Sequence, residues 1–443
     1  MPELKNSGFD YDIIIIGAAT SGSYFAKKMA EKGFKVVMLE EKDETKLGTK
    51  MDIFHVSESD FKKFDIPSVR DGDPSKAFHF TDNHYSSPSD KYMIKQRSDV
   101  VGLHLPEYTA LMLKAALMKG AEVVFNARFQ SFIFKNGKIS GVEYSNGDGV
   151  KKITSRVVID CSGIAAVGRC SLPDGYGVET FRLKNEDMFF VILRYCEFKE
   201  PQVNTFRFDT KSWCAPYAAE SNKKIIGIGA VGGYDKAKEG LKKLDAFYPP
   251  ESYELKKTEL GTTPNCRPPY SFVADGFIVS GDAACLTKPD CGEGVTSSMV
   301  MIDISVPILE KALKNGDCSA ASLWDINRQY NLKQGAEFAM TRAFLTKAVR
   351  VKDEEIEYCF KKGIIFNDGL SEGKINIPKT VAKLSAAVIK GHISLTTITS
   401  AISGAALGMK LKKHYLSFPS SPDGLSKWSQ KADVLWKKVG KMI

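Results

Sequence analysis

The distribution of apolar residues first predicts a strand–helix–strand unit at the start of the chain. The run YDIIIIG, residues 11–17, is apolar and ends at a glycine, as a buried parallel strand does. The next segment, SYFAKKMAEKG, spaces its apolar residues at helical intervals and stops at another glycine. KVVMLEEK then predicts a second strand. These elements form one β–α–β unit of about 35 residues.

Beyond this unit the pattern changes several times. Residues 43–100 are polar and rich in turn residues, and they predict loops. A helix, a hairpin and another buried strand follow, and this strand ends in VVIDCSG. From 180 to 275 apolar and aromatic residues alternate, which predicts antiparallel strands. From 295 onward the spacing of apolar residues predicts mainly helices.

The turn after the first strand has the composition of a dinucleotide-binding site. Backbone amides and the helix dipole attract a pyrophosphate at such a turn. Glu40 ends the second strand, where it can accept hydrogen bonds from ribose hydroxyls, and Glu41 takes this place if the register shifts by one. Ala19 replaces the middle glycine of G-x-G-x-x-G. The predicted turn residues are Gly17, Ala18, Ala19, Thr20, Ser21 and Gly22.

Three later turns indicate that the dinucleotide is FAD. Ser162 and Gly163 follow a buried strand, GDAA follows the apolar run FIVS, and P-x-x-GEG follows GDAA. Glycines in the last turn allow the backbone to approach a flat ring, and the next helix directs its N-terminus towards flavin N1 and O2. Glu293 holds this turn or caps the helix. The predicted set is Gly163, Gly281, Asp282, Pro289, Gly292, Glu293, Gly294 and Val295.

Taken in this order, GAATSG with Glu40, IDCSG, GDAA and P-x-x-GEG resemble the FAD enzymes of the p-hydroxybenzoate-hydroxylase type. Within that group the chain is similar to the geranylgeranyl reductases, on WCAPYAAESNKKIIGIGAVGG at 213–233 and on HYLSFPSSPDG near the C-terminus. The resemblance implies an FAD-dependent reductase of C=C double bonds in a hydrophobic isoprenoid or prenyl-lipid substrate. The Cys-Gly pair of those reductases is absent from residues 45–58.

We therefore expect an α/β fold in which a Rossmann-like FAD-binding domain is joined to an antiparallel β-sheet substrate domain and a C-terminal helical region. The FAD-binding domain is predicted to be discontinuous and to comprise residues 1–180 and 265–315. Residues 181–264, with parts of 45–105, would form the substrate domain, and residues 316–443 the helical region.

Reduction of a double bond needs a hydride from the flavin and a proton from the protein. His55 and Cys291 are the candidate proton donors, with Lys50 and Asp52 as polar neighbours. The alternatives are an exposed loop histidine and a small buried apolar cysteine. Aromatic residues of the second lobe line an apolar substrate tunnel or pack within the sheet. They are Trp213, Tyr217, Phe206 and Phe208.

Charge and composition limit the kinds of partner that we expect for this chain. The net charge of +9 favours an anionic partner or surface, but zinc-finger spacing and RNA-binding aromatic signatures are absent, so we expect no nucleic acid. The nine cysteines form no CxxC motif, which favours a reducing cytoplasm and offers no clustered thiolates for an iron–sulfur centre. We expect no metal site. The Ser- and Thr-rich stretch His392–Met409, followed by lysines, predicts a buried or interfacial helix and peripheral contact with the inner face of a membrane.

Two other functions are consistent with the same sequence motifs. One is an aromatic monooxygenase or halogenase on this scaffold, and the other is a flavin electron carrier without a substrate of its own. Because one dinucleotide-binding unit is evident, we expect electrons from an external donor such as a ferredoxin or NAD(P)H.

Overall fold

Two eight-stranded sheets organise the part of the chain that the structure describes. The structure is a computed structural model, and it describes residues 8–48, 53–207, 210–347, 351–364 and 377–440. Lys50, Asp52 and Phe208 lie outside the described residues. The described helices are α1 (Thr20–Ala30), α2 (Glu58–Phe64), α3 (Leu105–Met118), α4 (Tyr234–Leu244), α5 (Val295–Asn315), α6 (Ala320–Leu323), α7 (Asp325–Tyr330), α8 (Ala336–Lys347), α9 (Asp353–Lys362), α10 (Ile377–Ile389), α11 (Leu395–Leu416) and α12 (Leu425–Val439).

The first sheet has a parallel core. Its strands are β1 (Tyr11–Ile16), β2 (Val36–Leu39), β6 (Glu122–Val124), β7 (Arg128–Lys135), β8 (Lys138–Asn146), β9 (Gly149–Asp160), β15 (Val273–Ala274) and β16 (Phe277–Val279). Strands β16, β9, β1, β2 and β6 run parallel in that order, and the β7–β8 hairpin pairs with β9. Because β1 is central, its side chains from Ile13 to Ile15 are fully buried, which explains the uninterrupted apolar run.

The second sheet is antiparallel except for one pair. Its strands are β3 (Ile53–Val56), β4 (Lys76–Ser86), β5 (Met93–His104), β10 (Met188–Phe198), β11 (Thr205–Arg207), β12 (Ser212–Pro216), β13 (Lys223–Val231) and β14 (Tyr253–Pro264). Their order is β14–β10–β13–β12–β11–β4–β5–β3, and β4 with β11 is the parallel pair. Helix α4 covers one face by packing Leu241 and Leu244 against β10 and β13. The predicted fold class is confirmed, and the domain boundaries stay a prediction.

The prediction of loops over residues 43–100 is wrong. This segment contains β3, α2, β4 and most of β5. Strand β5 alternates exposed and half-buried positions from Met93 to Val100, and polar side chains occupy both kinds of position. The apolar–polar alternation that marks a strand in sequence is therefore missing, although the backbone pairs with β4 along its length.

The C-terminal region is helical, as predicted. The buried face of α11 contains Gly404, Gly408, Leu411 and Tyr415. A methyl group on Gly408 would lie 2.8 Å from the Met340 carbonyl oxygen of α8, so these two helices approach closely. Across the described ranges, every helix is too short or too polar to cross a bilayer.

Gly227 of β13 gives a stability test for the second sheet. A methyl on Gly227 would lie 2.1 Å from the Trp213 ring, whereas a methyl on Gly229 would meet no atom within 4 Å. We expect Gly227→Ala to lower the free energy of unfolding by about 1–3 kcal/mol, because the ring has to move. Urea denaturation measures this loss, and Gly229→Ala is the matched control. Equal stabilities of the two variants would contradict the close contact.

Candidate functional site

The candidate site lies at the carboxyl edge of the first sheet, where several parallel strands end together. The chain turns after β1 at Gly17, after β9 at Ser162 and after β16 at Gly281, and Glu40 follows β2. Carboxyl ends of neighbouring parallel strands form the usual ligand-binding edge of an open α/β sheet. The topology therefore brings together turns that are far apart in sequence.

The first turn is a tight cradle at the N-terminus of α1. Gly17 has φ +97°, and a methyl on it would lie 2.6 Å from the Cys161 carbonyl oxygen. A methyl on Gly22 would lie 2.0 Å from the Gly17 carbonyl oxygen, so helix and strand touch through their backbones. The N-cap residue is Ala19, which offers no side-chain acceptor, and the first turn of α1 has no acidic residue. The first amides and the dipole of α1 can therefore serve an anionic ligand.

Glu40 and Glu41 differ in their surroundings. Glu40 is 6% exposed and accepts hydrogen bonds from the Ala18 amide at 3.0 Å and the Lys42 amide at 3.1 Å. Glu41 is exposed. Glu40 is thus fixed against the first turn, and its carboxylate has lone pairs left to accept from ribose hydroxyls.

The GDAA turn meets the first turn directly. Gly281 has φ +67°, and a methyl on it would lie 2.8 Å from the Ser21 Oγ. Asp282 lies next to the later glycine turn, since a methyl on Gly294 would be 2.9 Å from the Asp282 Oδ1. Two segments about 260 residues apart in sequence thus form one continuous surface.

Two residues that the sequence analysis missed hold this surface together. Asp160 is fully buried, and it accepts from the Ser162 amide at 2.9 Å and the Arg169 amide at 2.6 Å. Burial raises the pKa of Asp160, and these hydrogen bonds oppose that rise. The Arg169 guanidinium, also buried, donates to the carbonyl oxygens of Ala283, Glu179 and Phe181. An arginine in a segment of mainly small and apolar residues was the available signal in the sequence.

The P-x-x-GEG turn is braced by its own residues. The Lys288 amide donates to the Glu293 carbonyl oxygen at 2.9 Å, and the Gly292 amide donates to the Lys288 carbonyl oxygen at 3.0 Å. The Lys288 Nζ lies 2.8 Å from the Glu293 Oε2. Pro289 is buried, and Gly292 has φ +79°. Gly294 is the N-cap of α5, which begins at Val295 without an acidic residue in its first turn.

The two predicted proton donors lie near the same carboxylate. His55 is half-buried on β3, not in an exposed loop, and its ring is 5.7 Å from Phe78. Desolvation lowers the pKa of His55 from 6.5, and Glu293 opposes this. Cys291 is exposed, not a buried apolar residue. Desolvation by nearby protein atoms raises the pKa of the Cys291 thiol, and Glu293 and Asp290 raise it further, so the thiol stays protonated at neutral pH.

The predicted lining residues share the second sheet, and the structure adds Tyr85 to them. Phe206 pairs in register with Tyr85 on one side and with Trp213 on the other. The Tyr85 and Phe206 rings are 5.8 Å apart. Tyr217 lies further along and contacts Tyr195 at 5.2 Å. Burial raises the pKa of Tyr85, and the nearby Cys291 and Asp290 of the glycine turn raise it further.

Several known proteins are similar to this chain in sequence or in fold. Residues 12–172 match the family model of FAD dependent oxidoreductases. The chain is 26% identical to the digeranylgeranylglycerophospholipid reductase of Sulfolobus acidocaldarius, with 100% of both chains covered. It is 25% identical to digeranylgeranylglycerophospholipid reductase 2 of Methanopyrus kandleri, over 78% of this chain and 87% of that one.

Solved structures share the fold. A geranylgeranyl bacteriochlorophyll reductase-like protein of Thermoplasma acidophilum superposes with a TM-score of 0.73 at 17% identity, over 85% of this chain and 96% of that one. The flavin-dependent brominase Bmp2 superposes with a TM-score of 0.62 at 14% identity, over 96% and 99%. By these similarities the chain is an FAD-dependent oxidoreductase, and it resembles the geranylgeranyl reductases. It is therefore an enzyme with FAD as its cofactor.

The geometry of these turns fits FAD. Gly17, Gly22 and Gly281 keep the cradle free of side chains, and any Cβ there would overlap protein atoms. We expect the N-terminus of α1 to bind the pyrophosphate and Glu40 the ribose hydroxyls. The N-terminus of α5 and the backbone of Gly292 would face the flavin ring. These assignments stay predictions, as do those of the neighbouring turn residues. Among the described residues, no cluster of His, Cys, Asp and Glu could hold a metal.

A pair of glycines with similar backbone angles tests the cradle of this oxidoreductase. Gly17→Ala places a methyl against Cys161, whereas Gly33→Ala, at φ +84°, places one where no atom lies within 4 Å. Both changes cost about 1–2 kcal/mol of backbone strain. We expect only Gly17→Ala to weaken FAD binding, by about tenfold or more. Flavin fluorescence during titration of the apoprotein measures the Kd. Equal affinities would argue against pyrophosphate at this turn.

Proposed function

We propose that this enzyme reduces C=C double bonds in the geranylgeranyl chains of a glycerophospholipid or a similar prenyl lipid. The relatives named digeranylgeranylglycerophospholipid reductase support this substrate class. The observation that carries the proposal is an aromatic and apolar face of the second sheet, opposite the face that α4 covers, which begins beside Cys291.

This apolar face continues from strand to strand. Tyr85, Phe206 and Trp213 follow one another across β4, β11 and β12, and the Trp213 ring lies over Gly227 of β13. Leu193 of β10 is paired with Gly227, and Tyr195 and Tyr217 lie nearby. Four strand intervals correspond to about 19 Å at about 4.8 Å each. Such a length suits an extended hydrocarbon chain better than a single aromatic ring.

The chemistry divides between cofactor and protein. FAD supplies the hydride when it is bound. Addition of a hydride and a proton to an unactivated alkene places positive charge on one carbon, so the pocket needs an acid and few nucleophiles. The Cys291 Sγ, whose thiol remains protonated, would donate the proton to the other carbon of the double bond. Because Cys291 is exposed, its thiolate can regain a proton from water.

Electrons for each turnover would come from an external donor, either a ferredoxin-like protein or NAD(P)H. Gly227, Gly229 and Gly232 have the spacing G-x-G-x-x-G, but the first two lie inside the antiparallel strand β13. A dinucleotide turn instead joins a parallel strand to a helix. These glycines therefore give no support to a second, nicotinamide-binding unit.

The substrate proposal predicts a gain of two hydrogens for each double bond reduced. The FAD-loaded enzyme would be incubated under anaerobic conditions with dithionite and digeranylgeranylglycerophospholipid, and the lipid analysed by mass spectrometry. The fully saturated lipid is the control and should not change. If the masses of all prenyl lipids tested stay constant while an aromatic substrate stimulates oxygen consumption, the enzyme is a monooxygenase or halogenase.

The assignment of Cys291 predicts a selective loss of turnover. We expect Cys291→Ala to lower kcat about a hundredfold or more with FAD content unchanged, because general acid catalysis contributes about 10²–10⁴. Cys291→Ser should retain part of the rate. Cys318→Ala, at a half-buried cysteine beyond α5, is the control.

The pH dependence of the reduction rate distinguishes the two candidate proton donors, Cys291 and His55. With Cys291 as donor, the rate stays constant across neutral pH, because the pKa of this thiol is raised. With His55 as donor, the rate falls as pH rises through a pKa below 6.5, because only the protonated imidazole donates. This second profile, together with normal turnover by Cys291→Ala, would transfer the role to His55.

A further inference from the structure

Helix α11 has an exposed apolar stripe opposite its buried face. The buried face consists of Gly404, Gly408, Leu411 and Tyr415. At intervals of seven residues, or nearly two turns, the opposite side presents four large apolar side chains. Their exposed fractions are 67% for Leu395, 63% for Ile402, 57% for Met409 and 45% for Leu416. This stripe runs the length of a 22-residue helix, about 33 Å.

Lysines border the stripe at its C-terminal end. Three exposed lysines lie here: Lys410 and Lys413 of α11 and Lys431 of α12. With Val434 they line a shallow groove between the two helices. Residues 395–439 contain seven lysines and two acidic residues. One of these acids, Asp433, accepts a hydrogen bond from the Tyr270 hydroxyl at 2.6 Å and so faces the interior. The outer side of α11 and α12 is therefore both apolar and cationic.

We infer that the outer side of α11 and α12 docks on an anionic phospholipid bilayer. Apolar side chains in line with lysines are the features with which an interfacial helix inserts among lipid headgroups. A second copy of the chain fits less well. A coiled-coil seam needs a second apolar row, and the positions beside Ile402 and Met409 are instead Ala405, Ala406, Lys412 and Lys413. An acidic protein would pair with the lysines but would leave the stripe exposed.

Binding to vesicles tests whether the lysines contribute to membrane docking. The full-length, FAD-loaded protein would be floated with vesicles of phosphatidylcholine, with or without phosphatidylglycerol. We expect binding only to the anionic vesicles. Replacing Lys410, Lys413 and Lys431 by Gln should weaken it about a hundredfold, at about 1 kcal/mol for each lysine near the surface. The control replaces Lys236, Lys242 and Lys243, exposed on α4, by Gln and should bind like the parent.

The stripe is tested in the same way. We expect the replacement of Ile402, Met409 and Leu416 by Ser to weaken vesicle binding about tenfold or more, because these side chains no longer bury apolar surface in the bilayer. The control replaces the exposed Val150, Val203 and Leu255 by Ser. FAD content checks that each variant is folded.

Three results would overturn the inference. They are equal binding by test and control variants, a dimer in sedimentation velocity that the stripe variant abolishes, and capture of an acidic ferredoxin with no binding to vesicles. Docking would bring the enzyme to a substrate embedded in lipid, and in that sense it builds on the proposed function. The vesicles contain no prenyl chains, however, and reduction of a detergent-dispersed substrate is measured separately. Failure of one proposal is thus distinguishable from failure of the other.

Discussion

Close backbone contact at the carboxyl edge of the first sheet is the constraint on which the rest of the site depends. Gly22 touches Gly17 within one turn, Gly17 touches Cys161 across two strands, and Gly281 touches Ser21 across two distant segments. A side chain at Gly17 or Gly22 would overlap backbone atoms, and one at Gly281 would overlap the Ser21 side chain. They bring the start of α1, the end of β9 and the GDAA turn within reach of one elongated cofactor. Each contact limits how far its partners can move.

Buried polar groups make this arrangement specific. Asp160 and Arg169 are both buried, and each is satisfied mainly by backbone groups of the turns that it joins. A buried charge without such partners would cost several kcal/mol. The turns therefore have to adopt the geometry that satisfies both charges. The same low dielectric strengthens each of these hydrogen bonds, so the network favours one arrangement of the loops over others.

Sequence reasoning makes predictions where the signal is local, and it missed features whose signal is not. The Gly17–Gly22 turn and Glu40 lie within one β–α–β unit, so their spacing alone predicted a dinucleotide cradle. Arg169 was missed because its acceptors are backbone carbonyl oxygens, which the sequence does not mark, and one of them, that of Ala283, is 114 residues away. Strands β4 and β5 were missed because polar side chains occupy both of their faces. The seven-residue stripe of α11 acquires meaning only once its opposite face is known to be buried.

We propose that the first sheet binds the cofactor and that the second sheet selects the substrate. The same fold occurs in a flavin-dependent brominase, so the fold alone does not decide which reaction follows. In the proposed arrangement the second sheet faces the flavin, and its residues select the substrate. In this chain Gly227 leaves room for the Trp213 ring to lie flat on the sheet, and Tyr85 and Phe206 continue the surface towards Cys291. An extended apolar surface that ends at a protonated thiol suits the delivery of a proton to a hydrocarbon double bond, as the proposed function requires.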